Sequence, residues 1–142
     1  MTGRTLNSEG QIVFSSEFAV SRQTKPKEIV DHFTNKNIEC RDIGNGWTHY
    51  SIRNIQLKDT YFNMTFYFDN DVLKMTSFVV SDKIIVESSW DDWSEKSEMK
   101  KRNFYDNWLT KEIGKNRKFE WGSIGAFYDN KGGFSSIVLN YK

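Results

Sequence analysis

The chain has 142 residues, enough for one compact domain, and its 20 basic and 19 acidic residues leave a formal net charge of +1. A balance this close to neutrality excludes a global field that would attract nucleic acid or an anionic membrane. The aromatic fraction of 15% is high for so polar a chain, and the single cysteine excludes both an intramolecular disulfide and a cysteine-rich zinc site.

The first ten residues are polar and predict a frayed terminus instead of a secretory signal. No apolar run approaches the roughly 20 residues of a membrane span. We therefore expect a cytoplasmic protein whose residues 1–142 form a single domain that does not enter a membrane. Cys40 is expected to be a buried apolar filler. His32 has no His, Cys or acid at metal spacing nearby, and the sequence predicts neither a metal nor a cofactor.

Apolar periodicity in the first half predicts strands, a short helix and a glycine turn. Residues Ile12–Ser21 form the pattern of a first strand, and Pro26 in a first turn begins a helix that reaches about Lys36. Two further strands flank the turn Gly44-Asn45-Gly46, whose glycines supply the positive φ of a tight hairpin. These strands are expected over Ile38–Ile43 and Trp47–Leu57.

The clearest pattern is a hairpin formed by Tyr61–Phe68 and Val72–Val80, with a two-residue turn at Asn70-Asp71. On that register one face is apolar and must belong to the core, while the other is half polar and can meet solvent. The expected cross-strand pairs are Phe68 with Leu73, Phe66 with Met75, Met64 with Ser77, and Phe62 with Val79.

A long helix follows, with its start near Ser89 or Asp92 and its end at Gly114. Acids occupy its first turns and bases come later, an order that suits the helix dipole. Its second half carries an apolar stripe that docks on the sheet, whereas the first half interrupts this stripe with polar residues and is expected to dock poorly. The stripe consists of Phe104, Tyr105, Trp108, Leu109 and Ile113.

Two final strands, Phe119–Tyr128 and Phe134–Tyr141, enclose a loop that contains glycine. They are apolar on both faces, so the second face is either covered or offered to a partner. If both helices cover the same face of the sheet, the second face is open and carries Trp121, Phe127 and Phe134. The element order β-α-β-β-β-α-β-β predicts an α+β fold with a mainly antiparallel sheet and two helices.

The sequence contains no complete catalytic signature. It lacks a Gly-x-Ser-x-Gly elbow, a phosphate loop and a dinucleotide fingerprint, and on a helix the adjacent Asp91 and Asp92 diverge by about 100°. Aromatic side chains beside acids are instead typical of a protein-binding surface. We therefore expect a binding protein and not an enzyme. The predicted partner-binding residues are Trp90, Asp91, Asp92, Trp93, Glu95, Trp121, Phe127 and Phe134.

Several segments of the C-terminal third carry a shared pattern, namely Trp90-Asp91-Asp92-Trp93-Ser94, Asp106-x-Trp108-Leu109, Trp121-Gly122-Ser123-Ile124 and Lys131-Gly132-Gly133. This pattern resembles small bacterial immunity proteins of contact-dependent and polymorphic toxin systems. The resemblance implies a cytoplasmic protein that binds and neutralises one cognate toxin. It assigns no contact residue, because each interface in such families is tailored to its toxin. The near-neutral charge argues against a nuclease as the partner.

The preferred hypothesis is an immunity protein that covers the active or substrate-binding surface of its toxin. Two alternatives stay open. A single-stranded nucleic-acid-binding domain would stack bases on Trp47, Tyr61, Tyr67 and Phe78, although the neutral charge argues against it. A small-ligand-binding protein or an enzyme would need a pocket lined by Trp47, His49 and Phe78.

Overall fold

The computed structural model describes residues 5–86 and 93–142. In chain order the elements are β1 (Ile12–Val13), β2 (Ala19–Val20), α1 (Pro26–His32), β3 (Ile38–Gly44), β4 (Trp47–Leu57), β5 (Thr60–Asp69), β6 (Val72–Ser81), α2 (Glu95–Ile113), β7 (Lys118–Phe119), β8 (Gly122–Asp129) and β9 (Phe134–Tyr141). Seven strands form an antiparallel sheet in the order β3-β4-β5-β6-β9-β8-β7, and β1 pairs with β2 in a small separate sheet. The predicted α+β class is confirmed, and the predicted element order matches closely, although the described chain has two strands before α1, four between the helices and three after α2.

The N-terminal segment packs onto the body of the protein. Leu6 is only 1% exposed and forms a β-bridge with Ile12. The backbone N–H groups of Thr5 and Leu6 donate to Oε1 of Glu112 at 2.7 and 3.0 Å. The prediction of a frayed segment is therefore wrong for residues 5–10. One carboxylate oxygen accepts both hydrogen bonds. Because Glu112 is more than a hundred positions away, the composition of the N-terminal segment does not reveal this contact.

The first two predicted elements are shorter in the structure than in the sequence pattern. The expected first strand over Ile12–Ser21 is a small hairpin, β1 and β2, whose connection is held by the Ser15 hydroxyl accepting from the N–H of Phe18. Helix α1 ends at His32 and not near Lys36. The strands β3 and β4 and the glycine turn between them follow the prediction closely.

Cys40 is exposed, so the expectation of a buried thiol is wrong. It lies on β3, which forms one edge of the large sheet and is exposed from Glu39 to Gly44. An edge strand has a neighbour on one side only, and alternation along the chain cannot distinguish an edge from a central strand.

The hairpin of β5 and β6 contains a β-bulge that the sequence pattern does not anticipate. The two-residue turn and the pair of Phe68 with Leu73 are as predicted, but Lys74 is an extra residue opposite the step from Phe68 to Tyr67. Every pair beyond it is shifted by one, because a bulge reverses the in-out alternation of the strand that contains it. The observed pairs are Phe66 with Thr76, Met64 with Phe78, and Phe62 with Val80.

The bulge changes which side chains of β6 reach the core. Phe78 and Val80 are buried, while Met75, Ser77 and Val79 lie on the opposite face and are half-buried. The prediction that Met75, Ser77 and Val79 belong to the core face is therefore wrong. The exchange gives the core the larger ring of Phe78, which packs edge-on against Phe62 with ring centroids 5.8 Å apart.

Helix α2 starts later than predicted, at Glu95, because the side chain of Ser94 caps it by accepting from the N–H of Ser97 at 3.0 Å. Its end at Gly114, where φ is +85°, agrees with the prediction. Of the predicted stripe, Tyr105 and Leu109 are buried and Trp108 packs on the core, but Phe104 is 51% exposed and does not dock. None of the helices in the described part of the chain is long and apolar enough to cross a membrane.

One face of the large sheet carries the hydrophobic core. The N-terminal segment, α1 and α2 contribute Leu6, Ile29, Phe33 and Leu109 to this core, where they meet the buried alternate residues of β4, β5, β6, β8 and β9. The opposite face, which we call the open face, is not covered by either helix of the described chain. Its side chains are half-buried or exposed.

Candidate interaction surface

The open face is organised in rows that cross the strands, since directly paired residues of an antiparallel sheet point to the same side. One row runs from the edge strand β3 to β8 and consists of Arg41, His49, Tyr67, Met75, Asn140 and Ser123. The next row consists of Ser51, Thr65, Ser77, Val138 and Gly125. The centre of the open face is therefore built mainly from small side chains.

The polar groups at the centre of this face bond to one another. The hydroxyls of Ser51 and Thr65 are 2.8 Å apart, and the Tyr67 hydroxyl is 3.1 Å from that of Ser77. These cross-strand bonds fix the side chains without a core above them. The result is a preorganised floor.

A groove of about 420 Å³ crosses this floor. Small residues of β6 and β9 form its middle. The ring of Tyr67 on β5 lies on one side of them, and the ring of Phe127 on β8 lies on the other. Its lining comprises Tyr67, Met75, Ser77, Phe127, Asp129, Phe134, Ser136, Val138 and Asn140. The shift caused by the bulge brings Met75 and Ser77 to this lining. The register predicted from the sequence places both residues in the core instead.

Phe127 and Phe134 are the exposed aromatic residues of the groove, at 52% and 53%. Each ring lies against a glycine. A Cβ atom on Gly125 would come within 2.8 Å of Cζ of Phe127, and one on Gly132 within 2.5 Å of Cε1 of Phe134. The two glycines therefore make room for rings that lie over the backbone. Large apolar groups held in place at the surface are typical of binding sites.

Trp93 lies at the end of the groove where β8 joins β9. Its indole Nε1 donates to the backbone oxygen of Gly133, the residue before Phe134, and its side chain is 39% exposed. The hydrogen bond ties the residue that precedes α2 to the β8–β9 loop. Trp93 and Phe134 thus occupy the same end of the sheet, as the predicted partner-binding surface requires.

The first half of α2 is attached to β9 by polar contacts. Glu98 is buried, and its Oε1 accepts from the N–H of Ser135 at 2.9 Å, while the Ser135 hydroxyl donates to the backbone oxygen of Glu98 at 2.7 Å. Lys101 Nζ donates to Oε2 of the same carboxylate at 3.0 Å. The expectation that this half docks poorly is wrong. That expectation considers only apolar residues, whereas a buried carboxylate attaches this half of the helix.

Acidic groups collect near Trp93 and Phe134. Glu95 is exposed on the first turn of α2, and Asp129 is exposed at the end of β8. Desolvation raises the pKa of the nearby Tyr128 hydroxyl, and the negative charges of Glu95, Glu98 and Asp129 raise it further. This end of the protein therefore offers aromatic rings beside carboxylates.

Trp121 belongs to the core, and its prediction as a partner contact is wrong. The residue is 8% exposed, its ring stacks on Phe119 with centroids 5.5 Å apart, and its Nε1 donates to the backbone oxygen of Ser8 at 2.9 Å. Gly10 lies against the indole, where a Cβ atom would come within 2.5 Å of Cδ2. The N-terminal segment that covers this ring was expected to be frayed.

The structure brings four of the eight predicted residues together at one end of the sheet, namely Trp93, Glu95, Phe127 and Phe134. Three others, Trp90, Asp91 and Asp92, lie outside the described residues. The groove floor was missed from sequence. Alternation in the sequence does not reveal it, because the apolar residues Met75 and Val79 continue the set that begins at Leu73. The irregularity shows in the structure, where buried Leu73 and buried Phe78 are five positions apart in one strand. An odd separation of two core residues in a strand indicates a bulge.

The residues of the other two hypotheses do not assemble as those hypotheses require. Phe78 is buried in the core, so it can neither stack a base nor line a pocket with Trp47 and His49. Of the described residues that line the groove, only Asp129 is charged. A nucleic-acid platform needs a positive groove beside its rings. The described lining of the groove therefore lacks the positive charge that such a platform needs.

His49 lies on the open face, directly opposite Tyr67 of β5. Its ring meets Tyr67 edge-on with centroids 4.3 Å apart, and partial burial followed by the charge of Arg41 lowers the pKa of the imidazole. Across residues 5–86 and 93–142, no group of three or more His, Cys, Asp or Glu side chains is arranged to hold a metal ion.

A comparison with protein-family models, with curated proteins and with solved structures finds no match to this chain.

Proposed function

We propose that the protein binds another protein through the groove of the open face and the aromatic, acidic end formed by Trp93, Glu95, Asp129 and Phe134. The observation that carries the proposal is the pair of exposed rings, Phe127 and Phe134, each lying against a glycine on a sheet face that no described helix covers. Exposed rings on a preorganised floor lose little conformational freedom on binding, which favours affinity.

The chemistry of the surface defines the partner that fits it. An apolar or aromatic side chain between Phe127 and Phe134 would serve as the anchor, and anchors of this kind dominate the binding energy of most interfaces. Lysine or arginine side chains beside it would face Glu95 and Asp129. Such charges at the rim accelerate association more than they strengthen the complex.

We further propose that the partner is a bacterial toxin, whose active or substrate-binding surface this protein covers. This step rests on the resemblance of the C-terminal third to immunity proteins of polymorphic toxin systems. The resemblance implies that the protein is cytoplasmic and has no catalytic activity of its own. The groove supports the proposal because it offers a contact surface without an assembled catalytic group.

Co-expression with the product of the reading frame immediately upstream tests this function. We expect that product to co-purify with the protein, and we expect cells that produce both to grow where cells that produce the neighbour alone do not. A neighbour that neither co-purifies nor is detoxified would remove the support for an immunity function.

A further inference from the structure

No strand of the described residues pairs with the outer edge of β3, so this long edge of the sheet is open. Strand β3 is the outermost strand, covers Ile38–Gly44, and is exposed at every position after Ile38. The opposite edge is β7, which has only two residues. An edge of seven residues presents a row of backbone N–H and C=O groups that another strand can pair with.

We propose that β3 pairs antiparallel with β3 of a second copy of this chain, about a two-fold axis that passes beside Cys40. In this register Glu39 of each copy lies opposite Arg41 of the other. Both charges point to the open face, since Arg41 pairs with His49 and Glu39 with Ser51 within the sheet. Opposite charges directly across two antiparallel strands attract, and the symmetry forms this pair twice.

The order of charges along β3 selects this register over its neighbours. Directly opposed residues of an antiparallel pair point to the same side of the sheet. The two-fold axis must therefore lie between one residue of β3 and the same residue of the second copy. An axis at Glu39, Arg41 or Asp42 would set a charged side chain against itself, which is unfavourable. Of the five central positions, Cys40 and Ile43 are neutral, and only an axis at Cys40 has opposite charges on either side of it.

The same register defines where the rest of each copy lies. The axis is perpendicular to the sheet, so the paired copies form one continuous sheet and their open faces point in the same direction. The two Cys40 Cα atoms would be about 4.5–5.5 Å apart, as in any directly opposed antiparallel pair. That separation lies within the range of a disulfide.

Reversing the charges one at a time tests the pairing. We expect sedimentation or light scattering to show concentration-dependent dimers, and we expect Glu39→Arg or Arg41→Glu to raise the dissociation constant about tenfold or more. The double variant with both substitutions should dimerise like the original protein. The two single variants should also dimerise with each other when mixed, because opposite charges then face one another at both positions.

Oxidative trapping of the single cysteine tests the register. Diamide, which takes up the two electrons and two protons of a pair of thiols, should link Cys40 to Cys40 of a second copy. In a Cys40→Ser, Asp42→Cys variant the two cysteines would be about 14 Å apart along the strands, at roughly 3.4 Å for each of four residues, and no link should form. A monomer at all concentrations, association that ignores the charge reversals, or trapping at position 42 in place of 40 would overturn the proposal.

Discussion

Trp121 and Phe127 were expected on the same open surface, yet only Phe127 is exposed. Trp121 lies in the turn between β7 and β8, outside both strands, so the alternation that directs Phe127 to the open face does not extend to it. The turn leads into Gly122, the first residue of β8, whose φ is +151°. A Cβ atom at this position would be 1.9 Å from the backbone oxygen of Asn140, so only glycine fits. At this scale Trp121 stabilises the fold because it lies in a turn that the N-terminal segment covers.

Replacing Trp121 with alanine should lower the free energy of unfolding by about 3–5 kcal/mol, the usual loss for a large aromatic residue removed from a core. The ring loses its stack on Phe119 and its bond to Ser8. Denaturant unfolding followed by circular dichroism measures this loss. Phe127→Ala is the control, and we expect it to change the free energy by less than about 1 kcal/mol, because a surface ring makes fewer contacts. Equal stabilities of the two variants would contradict the assignment of Trp121 to the core.

At the scale of elements, the sequence predicts most of the fold because the strands alternate and α2 has an apolar stripe and a terminal glycine. The predictions fail where the decisive partner is distant in sequence or where alternation breaks. Glu98 attaches α2 to β9 through Ser135, and Glu112 binds the N-terminal segment. Both carboxylates therefore accept hydrogen bonds from residues that are distant in sequence. The bulge at Lys74 reverses the faces of β6 and thereby places Met75 and Ser77 in the groove.

Glu98→Ala should destabilise the protein by about 1–3 kcal/mol, because it leaves the buried N–H of Ser135 without its acceptor. Lys101→Ala is the matched control on the same helix. Its ion pair with Glu98 is half exposed at the lysine, and we expect a loss below about 1 kcal/mol. Amide hydrogen exchange should show faster exchange of Ser135 in the first variant only. If Lys101→Ala cost as much as Glu98→Ala, charge pairing and not the bond to β9 would hold the helix.

At the scale of the whole molecule, buried tyrosines make the fold sensitive to alkali. Burial, and secondly the charge of Glu98, raises the pKa of Tyr105 to about 12, and burial also raises the pKa of Tyr141. In the unfolded chain a tyrosine titrates near pH ~10. Below that pH both states are protonated. As the pH rises from about 10 to 12 the unfolded state loses its proton first, so unfolding becomes more favourable.

We therefore expect the free energy of unfolding to fall between about pH 10 and pH 12, with a contribution from Tyr105 of about 2–3 kcal/mol at the end of that range. Urea unfolding at a series of alkaline pH values measures it. Tyr105→Phe should reduce the slope, since phenylalanine has no proton to lose. An unchanged slope in that variant would show that the Tyr105 hydroxyl is not the titrating group.

The proposed pairing of β3 would add a second level of organisation. Because both open faces point the same way in the paired molecule, two grooves would be offered to one side. A partner that is itself dimeric would then engage both grooves at once, which raises the apparent affinity without any new contact.

The central claim is that the open face binds the partner, and titration calorimetry with the co-purified partner tests it most directly. The pair Phe127→Ser and Phe134→Ser, made together, should weaken binding by about a hundredfold or more, since each ring is expected to act as a hot spot. Phe104→Ser is the matched control, because Phe104 is equally exposed but lies on α2, outside the groove. It should change the dissociation constant by less than about threefold. Unchanged binding in the double variant, or an equal loss in the control, would contradict the account.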